Sequence, residues 1–190
     1  SSDLTMGGSA AIDVDQGKTL TYSGAAISLG ANTLTIAGDG SISSTNALVL
    51  DNADSQLTIT GNSVLSGAQV TMALTTGVVI NESSEITILT LGDTTPVAVA
   101  ADKTLSGTVV VNGGGTLQLT GSGSLASAVA LNGGILDIDE SLNINGAITH
   151  NTSSSIDIEL DKTLTYSGSV LSLGAHTLTL KGGGILSNTN

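Results

Sequence analysis

The sequence has 190 residues, of which 39% are hydrophobic, and its formal net charge is −12. This charge opposes binding to nucleic-acid phosphates and to anionic membranes, and no apolar run approaches the roughly 20 residues of a membrane span. Phe, Trp and Cys are absent and there are only two Tyr, which excludes a disulfide framework and a core built on aromatic rings. We therefore predict a core of small, closely stacked aliphatic side chains, with no nucleic-acid partner and no membrane insertion.

Apolar residues recur along the chain with a period of about 21 residues. Each unit has two apolar residues one position apart, a Gly-rich corner, and another apolar residue eight positions after the first. LTIAGDGSIS (34–43) and LTITGNSVLS (57–66) are examples. The predicted units start at Ile12, Leu34, Leu57, Val78, Val97, Leu117, Leu136, Ile156 and Leu178. A fixed period of this length is typical of repeat architectures.

Every unit contains three short stretches with apolar residues at alternate positions, which predicts strands. In the first unit these are Ile12/Val14, Leu20/Tyr22 and Ile27/Leu29, and in the eighth they include Leu171/Leu173. Three such strands cannot bury an apolar face alone, but stacked coils can. The predicted fold is therefore all-β, a right-handed, three-sided parallel β-helix (β-solenoid) of about nine coils of about 21 residues. Corner glycines at equivalent positions predict bends with positive φ: Gly38, Gly61, Gly121 and Gly182.

A second, longer repeat is visible because KTLTYSG occurs at 18–24 and again at 162–168. Residues 13–46 align without a gap on residues 157–190, 144 positions later, so seven units form one super-repeat. We predict that residues 1–190 are a single solenoid domain and a fragment of a longer array. Asn190 corresponds to Asn46, so we expect strand sequence to follow it in the parent protein and the ends to lack caps.

The stretch VVVNGGGTLQLTGSGSLASAVALNGGILDID (109–139) resembles the repeats of bacterial autotransporter passengers and of giant repetitive, adhesin-type surface proteins. The likeness extends in weaker form over nearly the whole chain. It implies an exported bacterial protein, located outside the cell or on its surface. It carries no catalytic residue over to this sequence.

Carboxylates are concentrated on the outward side of the first strand in two successive units, at Asp137, Asp139, Asp157 and Glu159. Equivalent positions of stacked coils lie about 4.8 Å apart, so these side chains form a ladder with a repulsion of about 1 kcal/mol per pair in a water-like dielectric. Calcium takes several oxygen ligands and would turn this repulsion into stabilisation. The alternative is a solvated acidic face. We predict no other metal and no cofactor.

Other motifs give weaker indications of chemistry. Gly17-Lys18-Thr19 matches the end of a phosphate-binding loop, but the glycine required five residues earlier is Ile12, which predicts a simple corner. His150 and His176 replace Met6 and Asn32 of the first copy, which predicts exposed corner or surface residues. Four lysines without arginine fit poorly with a polysaccharide lyase, so we predict no enzyme activity.

The outward faces of the strands differ in polarity. Thr-x-Thr pairs suggest an ice-binding array, but the ladder on the first face breaks after two coils. On the third strand the outward residues are apolar and small: Ala26, Ala47, Val49, Val110, Ala128, Ala130, Ala147 and Val170. We therefore predict a structural stalk, spacer or adhesion module whose partners are other copies, end to end or side by side, and also consider a cell-surface or glycan ligand. The alternatives are an ice- or glycan-binding module and, less favoured, a carbohydrate-active enzyme.

Overall fold

The chain folds as a parallel β-solenoid. The computed structural model describes residues 4–44, 48–74, 77–171 and 173–189. Within these ranges it consists of strands and turns and contains no helix, so no described helix could cross a membrane. The strand ladders are parallel and join successive coils. The predicted all-β coil architecture is confirmed.

The strands are short, from two to eleven residues, with turns between most of them. In chain order they are β1 (Leu4–Thr5), β2 (Ala10–Asp13), β3 (Thr19–Tyr22), β4 (Ile27–Ser28), β5 (Thr33–Ala37), β6 (Ser41–Ser44), β7 (Leu48–Asp51), β8 (Gln56–Ile59), β9 (Val64–Leu74), β10 (Gly77–Ile80), β11 (Ser84–Leu91), β12 (Thr94–Val99), β13 (Thr104–Asn112), β14 (Thr116–Leu119), β15 (Ser124–Leu125), β16 (Ala128–Asn132), β17 (Ile135–Ile138), β18 (Leu142–Ile144), β19 (Ile148–Thr152), β20 (Ser154–Ile158), β21 (Thr163–Tyr166), β22 (Leu178–Gly182) and β23 (Ile185–Asn188).

These strands line three faces. Face 1 is a sheet of nine strands in the order β2-β5-β8-β10-β12-β14-β17-β20-β22. Faces 2 and 3 belong to one sheet because β9, β11 and β13 continue around the corner between them. Thus β13 pairs with β15 through Thr104 and Leu105 on face 2, and with β16 through residues 108–112 on face 3. The cross-section is therefore three-sided, as predicted.

The number of coils differs slightly from the prediction. The nine strands of face 1 are separated by about eight turns of the chain, rather than nine complete coils. In the last coil, Leu171 and Leu173 of the predicted third strand lie outside the strands of the described residues. Face 3 ends at β19 among the described residues.

The register on face 1 agrees with the predicted unit starts at five of the eight junctions and departs from them at three. Leu34 lies beside Ala10 rather than Ile12, Leu117 beside Thr95 rather than Val97, and Leu178 beside Ser154 rather than Ile156. Each departure is a shift of two residues. Because side chains alternate with a period of two, such a shift leaves every inward residue inward. The corners between the strands accommodate the two-residue shifts.

The core is a column of aliphatic side chains stacked layer on layer. The buried hydrophobic residues of the described chain are Leu, Ile and Val, together with Tyr166. Tyr166 is 2% exposed, and its hydroxyl donates to the Ser169 carbonyl at 2.6 Å and accepts from the Ile148 N–H at 3.2 Å. The prediction of a closely stacked aliphatic core is confirmed.

The 144-residue repeat is also a repeat of conformation. Leu178 pairs with Ser154 as Leu34 pairs with Ala10, 144 residues earlier. Gly38 and Gly182 have φ of 80° and 81°, and Gly30 and Gly174 both have φ of 55°. The two copies therefore adopt the same local fold seven layers apart, counted from β2 to β20 on face 1.

The corner glycines are needed for two different reasons. Positive φ occurs at Gly38 and Gly182, as predicted, but not at Gly61 or Gly121. At Gly61 an added Cβ would overlap the backbone carbonyl of Gly38, and at Gly121 it would overlap that of Val99. The absence of a side chain lets one coil approach the backbone of the coil before it.

We predict that Gly61→Ala lowers the free energy of unfolding by about 1–3 kcal/mol, because the methyl group meets backbone rather than a movable side chain. Urea denaturation measures this change. Gly8→Ala is the matched control, since no atom lies within 4 Å of a Cβ built at Gly8, and it should shift stability by less than about 0.5 kcal/mol. Equal stability of the two variants would contradict the close-approach explanation.

Candidate functional site

The four predicted carboxylates do lie together on the outward side of face 1. Asp137 of β17 is the register partner of Asp157 in β20. The same register places Glu159 beside Asp139, and the Glu159 N–H donates to the Ile138 carbonyl at 3.0 Å. We call Asp137, Asp139, Asp157 and Glu159 the acidic ladder. The sequence prediction of their adjacency is correct because this junction has the predicted register.

The neighbours of the acidic ladder reduce its repulsion. The Gln118 Nε2 donates to Asp139 Oδ2 at 2.8 Å, and Lys181 is the register partner of Asp157 on the following coil. Burial raises the pKa of Asp137, and the charges of Asp139, Asp157 and Glu159 raise it further, while a hydrogen bond from the Ile138 backbone acts in the opposite direction. The ladder is thus strained electrostatically but bounded by a donor on one side and a cation on the other.

The calcium interpretation gains no support from this geometry. Among the described residues, no group of three or more His, Cys, Asp or Glu side chains could hold a metal ion. Glu140, which follows the ladder in sequence, is engaged elsewhere, since its Oε2 lies 2.7 Å from the Lys162 Nζ. The arrangement is that of an acidic face in which carboxylates of two neighbouring coils lie side by side, flanked by Gln118 on the preceding coil and Lys181 on the following one.

The Gly17-Lys18-Thr19 motif lies in a corner, as predicted. The Lys18 N–H donates to the Asp15 carbonyl at 3.0 Å, and Gly17 has φ of 73°, as in a type II turn. Two corners repeat this turn with aspartate in place of glycine, at Asp102 (φ 61°) and Asp161 (φ 63°). Aspartate is among the few residues that tolerate this left-handed conformation.

The lysine that follows each aspartate forms an ion pair with the preceding coil. Lys103 lies 2.7 Å from Glu82 and Lys162 lies 2.7 Å from Glu140. Both pairs are partly exposed, and pairs of this kind contribute about 0–1 kcal/mol. These ion pairs connect the corners of neighbouring coils and do not form a binding site.

The threonine array is shorter than the sequence suggested. Thr35 and Thr58 are register partners. Thr33, however, is paired with Gln56, and Ile59, the residue before Thr60, is paired with Ile36. One matched pair cannot present the flat, repeated surface that an ice-binding face requires. The register at this junction is the predicted one, so the mismatch lies in the sequence: Thr33 and Thr35 flank Leu34, whereas Thr58 and Thr60 both follow its partner Leu57.

The two histidines occupy different environments. His176 is exposed, as predicted, but His150 is only 8% exposed, so the prediction of a surface position is wrong for His150. It lies on β19 at an inward position, beside Leu131 of the previous coil. The alternation of Ile148 and His150, in phase with Leu4 and Met6, is the sequence signal that would have placed it in the core.

His150 is held by one hydrogen bond. Its Nδ1 lies 2.9 Å from the Ser154 Oγ, whereas its Nε2 is buried without a hydrogen-bond partner within the described structure. Burial lowers the pKa of His150, and the charge of His176 lowers it further. The ring is therefore a neutral polar group within the aliphatic column.

The surface carries shallow grooves. One, of about 360 Å³, is lined by residues including Ala98, Thr120 and Glu140. Another, of about 320 Å³, is lined by residues including Ser155 and Lys181. Neither lining contains a histidine, an aromatic ring or a second carboxylate, so neither groove brings together an acid–base pair or a sugar-stacking platform.

Comparison with known proteins adds no assignment: no protein-family model matches the chain, and no curated protein or solved structure matches it.

We predict that Asp137→Asn raises the free energy of unfolding at pH 7 and low salt, by up to about 1 kcal/mol for each repulsive pair removed. The gain should shrink in high salt because screening weakens the repulsion. It should also shrink on acidification: the folded pKa of Asp137 is raised above 3.8, so the folded wild type takes up its proton first and gains stability as the pH falls toward that value. Chemical denaturation at several pH values measures both trends.

The matched control is Asp13→Asn. Asp13 is the counterpart of Asp157 in the first copy, and its register partner on the next coil is Ala37 rather than a carboxylate or a lysine. This variant should change stability by less than about 0.5 kcal/mol at any salt concentration. A loss of stability in Asp137→Asn at pH 7 would show that its hydrogen bonds outweigh the repulsion.

Proposed function

We propose that the chain is a structural spacer, a stalk segment that supports adhesion in an elongated, repetitive protein on the bacterial cell surface. The observation that carries this proposal is the return of the same coil geometry after seven layers, at Ala10/Leu34 and again at Ser154/Leu178. A sequence that repeats its register and its corner conformations can extend a rod without changing its cross-section.

The outer surface supports this reading. The strands expose mainly Ser, Thr, Asn, Asp and Ala, and the inter-coil contacts take up the backbone donors and acceptors. Export and the surface location are supported by the resemblance of residues 109–139 to autotransporter and adhesin-type repeats. The alternatives gain little from the structure: the threonine ladder is one pair long, and the two grooves described above bring together no acid–base pair.

We also propose that the partners of this module are copies of the same solenoid, stacked end to end. Equivalent coils of the two copies have different numbers of neighbours. Strand β5 lies between β2 and β8, whereas its counterpart β22 has one neighbour, β20, among the described strands. Ile36 is accordingly 2% exposed, but the equivalent Leu180 is 56% exposed. The surface around Leu180 is thus one that a further coil covers elsewhere in the same chain.

The N-terminal edge shows the same effect. Leu20 and Leu164 occupy the same position of the identical TLTY strands, yet they are 42% and 0% exposed, respectively. Both ends thus present inward-facing aliphatic side chains and open strand edges. The two ends are complementary, because internal coils are joined by the same parallel strand pairing.

Side-by-side packing through face 3 has less support. The outward column on this face runs through Val49, Val110 and Ala130, but it is interrupted by Thr71, Thr90 and Thr149. Ala47, which belonged to the predicted apolar stripe, lies outside the described residues. Val170 is 79% exposed, at the open end rather than along a continuous stripe.

The spacer role predicts the length of an extended chain. If residues 47–190 are appended after Asn190, the added 144 residues continue the alignment of Asn190 with Asn46. The maximum dimension in small-angle X-ray scattering should then grow by about 34 Å, seven layers at about 4.8 Å each, with an unchanged cross-sectional radius. A widened cross-section, or two bodies joined by a flexible hinge, would contradict the proposal.

End-to-end stacking predicts self-association that depends on the open edge. The weight-average sedimentation coefficient should rise with protein concentration, and Leu180→Lys should weaken association about tenfold or more, because it places an ammonium group on the aliphatic surface. Thr179→Lys is the matched control, since it adds the same charge at the adjacent outward position. A wild-type chain that stays monomeric at millimolar concentration, or equal effects of the two substitutions, would contradict end stacking.

A further inference from the structure

His150 is a buried imidazole in a column built mainly of aliphatic side chains. Its counterpart in the first copy, Met6, packs against the core, so the position itself accepts an apolar side chain. A second exchange accompanies it, because Ser154 stands where the first copy has Ala10. The second copy has thus acquired a linked hydrogen-bonding pair, His150 and Ser154, at a site that the fold fills without one.

The hydrogen bonds around this pair favour the neutral ring. The Ser154 Oγ donates to the Thr152 carbonyl at 3.3 Å, so it is free to accept from a protonated Nδ1 of His150 at 2.9 Å. In that arrangement the buried Nε2 carries the lone pair and has no partner. A second proton would have to sit on Nε2, as a charged donor with no acceptor, which is costly in an apolar environment.

The charges near His150 do not compensate for that cost. Strand β16, on one side, contributes no titratable side chain. Strand β20 contributes Asp157, which points outward on face 1 and is paired in register with Lys181. The following coil contributes His176, whose charge opposes protonation of His150. Tyr166 is engaged with the Ser169 carbonyl.

His176 itself stands at a position that ties two coils together in the first copy. There Asn32 donates through its amide to the Met6 carbonyl at 3.1 Å and to the Leu29 carbonyl at 2.8 Å. In the second copy, histidines occupy both of these positions: His150 in place of Met6 and His176 in place of Asn32. At acidic pH they would be two cations on adjacent coils, where the first copy has a neutral hydrogen bond.

We propose that His150 and His176 form an acid-sensitive joint, at which mild acidification loosens the coil of residues 173–189 from the coil of residues 148–158. The counterpart junction at Met6 and Asn32 contains no group that titrates in this range and stays closed. The array would then open at one defined layer in each super-repeat rather than throughout its length.

The direction of the pH dependence follows from linkage. Since the pKa of His150 is lower in the folded chain than its ordinary value of 6.5, the opened form binds the proton more tightly. The closed joint is fully stable above pH 6.5 and loses stability as the pH falls from there toward the folded pKa. Asp137, whose pKa is raised in the folded chain, acts in the opposite direction and contributes a gain of stability on acidification, so it cannot mimic this loss.

Hydrogen exchange read by mass spectrometry tests the joint at pH values between 7.5 and about 5, with rates corrected for intrinsic exchange. The opening equilibrium of residues 173–189 should increase, by at most about tenfold per pH unit for each proton taken up, while residues 4–44 show no such trend. His150→Met together with His176→Asn restores the first copy's residues and should abolish the trend. Protection that is independent of pH in the wild type, or an unchanged trend in the double variant, would overturn the proposal.

A second measurement does not depend on any variant folding correctly. NMR titration of the His150 imidazole in the wild-type chain should give a pKa below its ordinary value of 6.5. If His150 titrates at or above that ordinary value, its ring is not held neutral by the core and the proposal fails.

Discussion

Backbone hydrogen bonding between successive coils is the constraint on which the rest of this structure depends. Parallel pairing sets the layers about 4.8 Å apart and lines up residue on residue, as at Asp137/Asp157 and Leu136/Ile156. A side chain that faces inward in one layer must therefore have an inward-facing neighbour in the next. The column is built mainly of Leu, Ile and Val, so a chain without Phe or Trp can form it.

The same constraint explains how much the sequence could predict. Alternation with a period of two survives every change in corner length, so the strands, the inward residues and the adjacency of the acidic ladder were predictable. The exact register was not, because a corner can absorb two residues without altering the alternation. Leu34 therefore pairs with Ala10, although the apolar pattern alone favours Ile12.

The burial of His150 was missed for a different reason. Comparison of the copies suggested that a position able to do without imidazole must lie on the surface, but Met6 is just as inward as His150. The strand's alternation was better evidence than the residue type. The reason for a glycine at position 61 was also missed. A side chain there would overlap the carbonyl of Gly38 in the neighbouring layer, and no local sequence pattern reveals this contact.

Because the hydrogen bonds between coils run along the long axis, the rod has a particular mechanical character. Under tension each layer carries the whole load, shared among the bonds of its three faces, and the layers stand in series. Breaking strength is then set by the weakest layer alone, however many layers there are. Lengthening such a stalk costs it little strength, whereas a single poorly bonded layer limits the strength of the whole stalk.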